Sequence, residues 1–324
     1  MPLTGDENYD DSHRAFLQAF MARSTMTLEE AKPILAAIFS VKEDREILPE
    51  DITQADLTNY ISSINTAISP FDFEIRSSVH QMNQSRVHAL VNAASDPLMQ
   101  LATTYTADEI AYVKRLLDAM FETNNTLREE AMVVPAIKAV QLAKIPNSAS
   151  RRESQNATQG GVAQPLSMKE AEEMLKRLVD EGWFEKSRKG NYSLTPRALM
   201  ELRTWLVESY NDNEDEDEQD SRRHDKIKTC FACKDLITVG QRCSKRQCPA
   251  RLHDMCTGNF FRLQKAKTCP ICKTNWTGND FVGERALGNR ASRNGPSGAS
   301  MRRASQPTST PLNVDGTTDE PESS

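Results

Sequence analysis

Residues 230–272 read CFACKDLITVGQRCSKRQCPARLHDMCTGNFFRLQKAKTCPIC, and all seven cysteines of the 324-residue chain lie in this stretch with one of its five histidines. The ligand-type residues fall into four close pairs: Cys230 and Cys233, Cys243 and Cys248, His253 and Cys256, Cys269 and Cys272. A short loop lets two side chains of a pair converge on one ion, and eight such ligands are what two tetrahedral zinc ions require. Seven cysteines cannot close a disulfide framework, and no signal peptide opens the chain, so reduced, metal-bound thiolates are the reading. A segment this short buries little apolar surface, so zinc must supply most of its folding free energy. The thiolates leave both sites net negative. Flanking bases such as Lys228, Arg242, Arg246 and Arg251 offset that charge, a role that competes with nucleic-acid binding.

Outward from this stretch, the chain carries a net charge of −6 and is 38% hydrophobic. No apolar run approaches the ~20 residues that cross a bilayer, so no membrane association is expected. Its length suits two or three domains. Residues 1–11 are expected to be disordered. Residues 12–95 read as a winged helix: Phe16, Leu17 and Phe20 on one helix, a second opened by a Thr27/Glu30 capping box with Pro33 inside it, and a third carrying Leu57, Tyr60, Ile61, Ile64 and Ile68. The period then falls to two, with Phe71, Phe73 and Ile75 alternating, then Val87, Ala89 and Val91, as in a hairpin.

Residues 105–210 repeat this order. Thr106 and Glu109 cap a helix, a second is expected over 127–143 with Pro135 as a weak point, and 145–165 reads as a flexible insertion. Ser167 and Glu170 cap the third, Trp183–Leu194 forms a wing with Gly190 at its tip, and Thr195-Pro196 starts a closing helix. The third helices are poorly suited to the major groove. Residues 52–68 contain no lysine or arginine, and Lys169, Lys176 and Arg177 are outnumbered by acids on the other. Weak backbone contact through Lys186, Arg188 and Lys189 is the residual DNA reading. Residues 211–225 form an acidic linker, 226–276 the zinc domain and 277–324 a disordered tail in which Arg302–Ser305 fits a basophilic kinase site. The fold class expected is α+β: tandem winged helices followed by a small two-zinc domain.

The ligand order, four cysteines, a histidine and three cysteines ending in Cys-Pro-Ile-Cys, resembles the variant RING domain of ubiquitin ligases. That resemblance implies a cross-brace, with Cys230, Cys233, His253 and Cys256 holding one zinc and Cys243, Cys248, Cys269 and Cys272 the other. It also implies a docking surface for a ubiquitin-conjugating enzyme at Phe231 or Ala232, Phe260 and Pro270, with Lys273 placed to contact ubiquitin. Ala232 is small where the family carries a larger aliphatic residue. A histone-reading zinc finger would have tryptophan where Lys267 stands.

Residues 12–276 together, including LVDEGWFEKSRKGNYSLTPRALMEL over 178–202, resemble the non-SMC element 1 family. The resemblance implies a nuclear, chromosome-associated ubiquitin ligase subunit of the Smc five/six DNA-repair complex. Its partners would be a MAGE-type subunit (non-SMC element 3), a kleisin (non-SMC element 4) and, indirectly, the Smc heads, with DNA reached weakly or through partners. The alternatives are an architectural zinc subunit of the same complex and a winged-helix regulator that binds DNA or chromatin.

Overall fold

The computed structural model describes residues 9–93, 104–144, 164–211 and 225–288. The first winged helix runs α1 (Asp11–Arg23), β1 (Thr25–Thr27), α2 (Leu28–Glu43), α3 (Gln54–Ile68), β2 (Phe73–Val79) and β3 (Arg86–Asn92). Its sheet has the order β1-β3-β2, all antiparallel, with Ile75 opposite Leu90 and Ser77 opposite His88. Capping boxes set the helix starts: Asp10 with His13, Thr27 with Glu30, Thr53 with Asp56. Pro33, a residue expected to kink α2 or move its start, lies inside the helix, and the start stays where Thr27 fixes it. Phe16, Phe20, Leu35, Leu57, Ile64 and Ile75 form the core. The alternation at β2 is only partly realised: Ile75 is buried, whereas Phe71 and Phe73 are 71% and 42% exposed.

The second winged helix comprises α4 (Ala107–Asp118), β4 (Val134–Pro135), α5 (Ala136–Gln141), α6 (Met168–Asp180), β5 (Phe184–Lys186), β6 (Asn191–Leu194), α7 (Pro196–Glu201) and α8 (Arg203–Asn211). The helix expected over 127–143 is a correction, because only Ala136–Gln141 is helical. Pro135 lies outside that helix as its N-cap, in extended conformation, and a residue preceding proline also avoids the helical region. Val134 therefore pairs with Tyr192 as a strand. Before it, residues 124–133 form a loop held by Asn124, whose side chain donates to the Val133 carbonyl. At the wing, Gly190 adopts φ +78°, and Thr195 caps α7 with Pro196 in its first turn. The α7 helix packs on β2 and β3 of the first domain.

The zinc module adds β7 (Gly240–Arg242), β8 (Arg251–Leu252), α9 (Asp254–Gln264) and β9 (Phe281–Val282). A tail beginning at 277 is corrected by β9, which pairs with β7 in a sheet ordered β8-β7-β9. Trp276 and Val282 are buried. The module is not held apart by the acidic stretch either. Ile227, Leu236 and Val282 belong to the same apolar core as Leu116, Leu178 and Leu206 of the second winged helix. The two ends of the acidic stretch meet, because Asn211 Oδ1 accepts from Ile227 N–H and Asn211 Nδ2 donates to the Ile227 carbonyl, both at 2.8 Å. Residues 1–8, 145–163 of the insertion, 212–224 of the linker and 289–324 with Ser305 lie outside the described residues, and the disorder expected up to residue 11 is corrected by α1, which Asp10 caps and Asp11 opens.

Candidate metal centre and docking face

Two hairpin loops of the same construction present the ligands. In the first, Cys230 N–H donates to the Asp235 carbonyl and Lys234 N–H to the Cys230 carbonyl. In the second, Cys269 N–H donates to the Thr274 carbonyl and Lys273 N–H to the Cys269 carbonyl. Each turn closes on a lysine in the left-handed region, Lys234 at φ +66° and Lys273 at φ +59°. Of the middle pairs, Cys243 and Cys248 come from the connection between β7 and β8, and His253 and Cys256 from the N-cap and first turn of α9.

These elements gather Cys230, Cys233, His253 and Cys256 into one group and Cys243, Cys248, Cys269 and Cys272 into another, with all ligand atoms of a group within 4.8 Å of one another. Tetrahedral zinc with bonds of about 2.3 Å to sulfur requires sulfurs about 3.8 Å apart. Cys243 and Cys272 Sγ are 3.4 Å apart, and Cys248 and Cys269 Sγ 3.6 Å. His253 Nδ1 lies 3.3 Å from Cys233 Sγ and 4.0 Å from Cys256 Sγ. Its Nε2–H donates to the Leu236 carbonyl at 3.2 Å, which leaves the Nδ1 lone pair facing the sulfurs, a support typical of a histidine ligand. Crowding makes the thiols compete for ionisation. Burial and its neighbours push Cys243 up to about 12, while the Thr274 hydroxyl holds Cys272 down at about 6. A divalent cation removes that conflict. The donor sets fit two zinc ions, and because the groups alternate along the chain, the ions brace four segments against one another.

The metal centres are set on a buried ionic cluster. Glu130, from the 124–133 loop of the second winged helix, is 1% exposed, and Arg251 beside it is fully buried. Arg251 Nε donates to Glu130 Oε2 at 2.6 Å, Lys228 Nζ lies 2.8 Å from Oε1, and Arg242 lies 3.5 Å from the same oxygen. Burial opposes the Glu130 carboxylate, but the Arg251 hydrogen bonds and the other two cations override it and hold the group at about 2. Burial lowers Lys228 to about 8 despite Glu130. Three cations around one carboxylate leave a surplus of two positive charges. Arg251 also donates to the Cys248 and Ala250 carbonyls, which ties the cluster to the second ligand pair.

Across the first ligand loop, Phe231 is 36% exposed and meets Phe260 edge-on, with ring centroids 5.8 Å apart, and Lys234 Nζ sits 4.5 Å over the Phe231 ring. Ala232 is exposed and Pro270 half-buried. Lys273 is exposed, its Nζ donating to the Pro270 carbonyl at 2.9 Å. The structure adds Ile271 and Leu263, 47% and 80% exposed, which sequence reasoning passed over. Ile271 was visible inside the Cys-Pro-Ile-Cys pair. Leu263 lies one turn beyond Phe260 on α9, a spacing that marks one helix face. Lys186, Arg188 and Lys189 are exposed on the second wing, where Glu284 accepts from Ser187 Oγ at 2.6 Å and from Asn191 Nδ2.

Tandem winged helices carrying a cross-braced cysteine-histidine module define a class of RING-bearing winged-helix subunits. Residues 230–272 match the RING-like domain, and residues 13–202 match the family described as the Nse1 non-SMC component of the SMC5-6 complex. The chain belongs to the Nse1 family. Among its relatives, the human non-structural maintenance of chromosomes element 1 homolog is 22% identical over 266 residues, covering 82% of this chain and 84% of the relative. The Schizosaccharomyces pombe protein of that name is 22% identical over 278 residues, covering 86% and 97%. A chain of the solved Nse1-Nse3-Nse4 complex superposes with a TM-score of 0.61 at 22% identity, over 83% of this chain and 97% of that one.

Proposed function

We propose that this chain is a RING-type ubiquitin transferase subunit, working in the nucleus on chromosomes as part of an SMC5-6 DNA-repair complex. Its assembly partners would be the MAGE-type Nse3 and the kleisin Nse4, the proteins that accompany the Nse1 chain in the solved complex it resembles. The observation that carries the enzymatic reading is the accessible Phe231–Phe260 pair, flanked by exposed Ile271 and half-buried Pro270 on the two ligand loops. No side chain of the module is needed as nucleophile or base. Phe231, Ala232, Phe260, Pro270 and Ile271 would seat the conjugating enzyme, and Lys273 would face its ubiquitin, so the thioester is held in a reactive geometry and catalysis is by positioning. Zinc, when bound, fixes both loops that carry this face.

Ala232 favours a second reading. A methyl group offers little to an enzyme docking against it, which fits either a transferase that depends on its partner or a purely architectural module. Ubiquitin discharge from a charged conjugating enzyme separates the two, measured on the full chain with and without the MAGE-type subunit. Discharge that rises with the partner and falls at least tenfold in Phe231→Ala/Phe260→Ala, with zinc content unchanged, supports the transferase. Discharge that is absent with the partner present, or unchanged by the double substitution, leaves the architectural role.

A further inference from the structure

The first winged helix ends its sheet in an edge, the outer side of β2, whose peptide groups are only partly satisfied among the described residues. β2 is the outer strand of the order β1-β3-β2. The hydrogen bonds from His80 N–H to the Ser85 carbonyl and from Ala93 N–H to the Asp72 carbonyl bracket the hairpin, so even-numbered residues of β2 bond inward to β3. Odd-numbered residues then turn their peptide groups outward. At Ile75 this is directly visible, because the Asn65 side chain accepts from its N–H at 2.7 Å and donates to its carbonyl at 3.0 Å, as a neighbouring strand would. Past Ile75 that substitute stops. The outward peptide groups of Ser77 and Val79 have no hydrogen-bond partner among the described residues. Natural edges of this kind are usually shortened, charged or covered.

Cavities flank both faces of this edge, and both are bordered by Ile75 and Ser77. One, of about 570 Å³, lies between β2, α7 and the first loop of the zinc module, with Leu199, Met200 and Thr238 in its wall. The other, of about 300 Å³, lies between β2, β3 and α3, and is lined by Thr58, Arg86 and His88. A strand laid along an edge sends alternate side chains to opposite faces of the sheet. A residue opposite Ser77 would enter the smaller cavity, and its neighbour in sequence the larger one. The smaller cavity is chemically specific. His88 is 5% exposed, and its Nε2 is buried with no hydrogen-bond partner. Arg86 reaches only the Ser77 hydroxyl, at 3.4 Å, and has no carboxylate in salt-bridge range among the described residues. A guanidinium with no carboxylate partner beside an imidazole whose Nε2 is unpartnered suits a carboxylate.

We propose that the Ser77–Val79 edge of β2 accepts an extended segment of a partner protein as a fourth strand, with an aspartate or glutamate of that segment seated against Arg86 and His88. Main-chain bonds to the open peptide groups supply affinity, and the two cavities supply sequence preference, as in other strand-addition interfaces. The site is independent of any ubiquitin transfer.

The test is selection of short random peptides displayed against the full-length protein, followed by solution binding and hydrogen exchange. The expected winners are rich in β-branched residues with one aspartate or glutamate at a fixed position, and they slow exchange at the Ser77 and Val79 amides. Ser77→Pro removes an outward N–H, which an edge strand tolerates, and weakens binding about tenfold or more while thermal unfolding stays cooperative. Arg86→Glu, which leaves the backbone intact, turns the preference at the fixed position toward lysine or arginine. No enriched peptide, equal binding to Ser77→Pro, or no change of preference in Arg86→Glu would each overturn the proposal. So would a DNA duplex that binds the same face, loses affinity in Arg86→Glu and ignores Ser77→Pro.

Discussion

The two winged helices share one topology but are attached to the rest of the molecule in different ways. The first closes its own core around Phe16, Phe20 and Leu57 and touches the zinc module through a polar clamp. Gln81, at the tip of its wing, donates to the Leu236 carbonyl at 2.9 Å and accepts from Thr238 N–H and Val239 N–H at 3.0 and 2.8 Å. The second shares its apolar core with Ile227, Leu236 and Val282 and drives Glu130 into the cations of the zinc module. Sequence repetition therefore does not predict mechanical equivalence. The second winged helix and the zinc module form one unit, and the first is hung on it.

Zinc removal should expose this asymmetry most strongly. Structural zinc contributes about 10 kcal/mol or more per site in small modules. Chelation should abolish hydrogen-exchange protection in β7–β9 and lower it sharply in the second winged helix, leaving Leu57 and Ile64 in α3 protected. Equal loss in both winged helices would erase the distinction. Glu130→Gln comes next. It strands Arg251, Lys228 and Arg242 in a buried site and should cost about 3–5 kcal/mol in urea unfolding. Because Glu130 is held at about 2, below its usual 4.5, its contribution is complete above about pH 4.5 and disappears as the pH falls through about 2. The acid limb of the wild-type stability curve should be shallower in the variant. Gln81→Ala should cost up to about 2 kcal/mol and speed exchange at Thr238 and Val239 without touching zinc content. Phe71→Ser, at a side chain 71% exposed, should move stability by no more than about 0.5 kcal/mol.

Local chemistry made the four ligand pairs, the helix starts at Thr27, Thr106, Ser167 and Thr195 and the two winged-helix orders readable in advance, whereas the sharing of each zinc by alternate pairs came from the family resemblance. A ligand pair or a capping box is written within four or five residues, as at Cys230/Cys233 or Ser167/Glu170. What escaped was written across the chain. Glu130 looks like an ordinary charge in a polar loop, and only Lys228, Arg242 and Arg251, 98 to 121 residues away, explain its burial. β9 is two residues long and is made a strand by Gly240 and Gln241 opposite it. The helix expected over 127–143 would have run through Met132, Val133 and Val134, all buried. Those residues enter the core from a loop and a strand, because Val134 pairs with Tyr192 and Pro135 is held extended as the N-cap of α5.

The reciprocal bonds between Asn211 and Ile227 hold the two ends of the acidic segment side by side. Covalent continuity between the winged helices and the zinc module is thus redundant with the Glu130 cluster, the shared core and the Ser187–Glu284 contact. A chain cut between 212 and 224 should run as one particle, its two fragments parting only when zinc is withdrawn. For the same reason, insertions and deletions in that segment can accumulate without changing how the zinc module faces its neighbours.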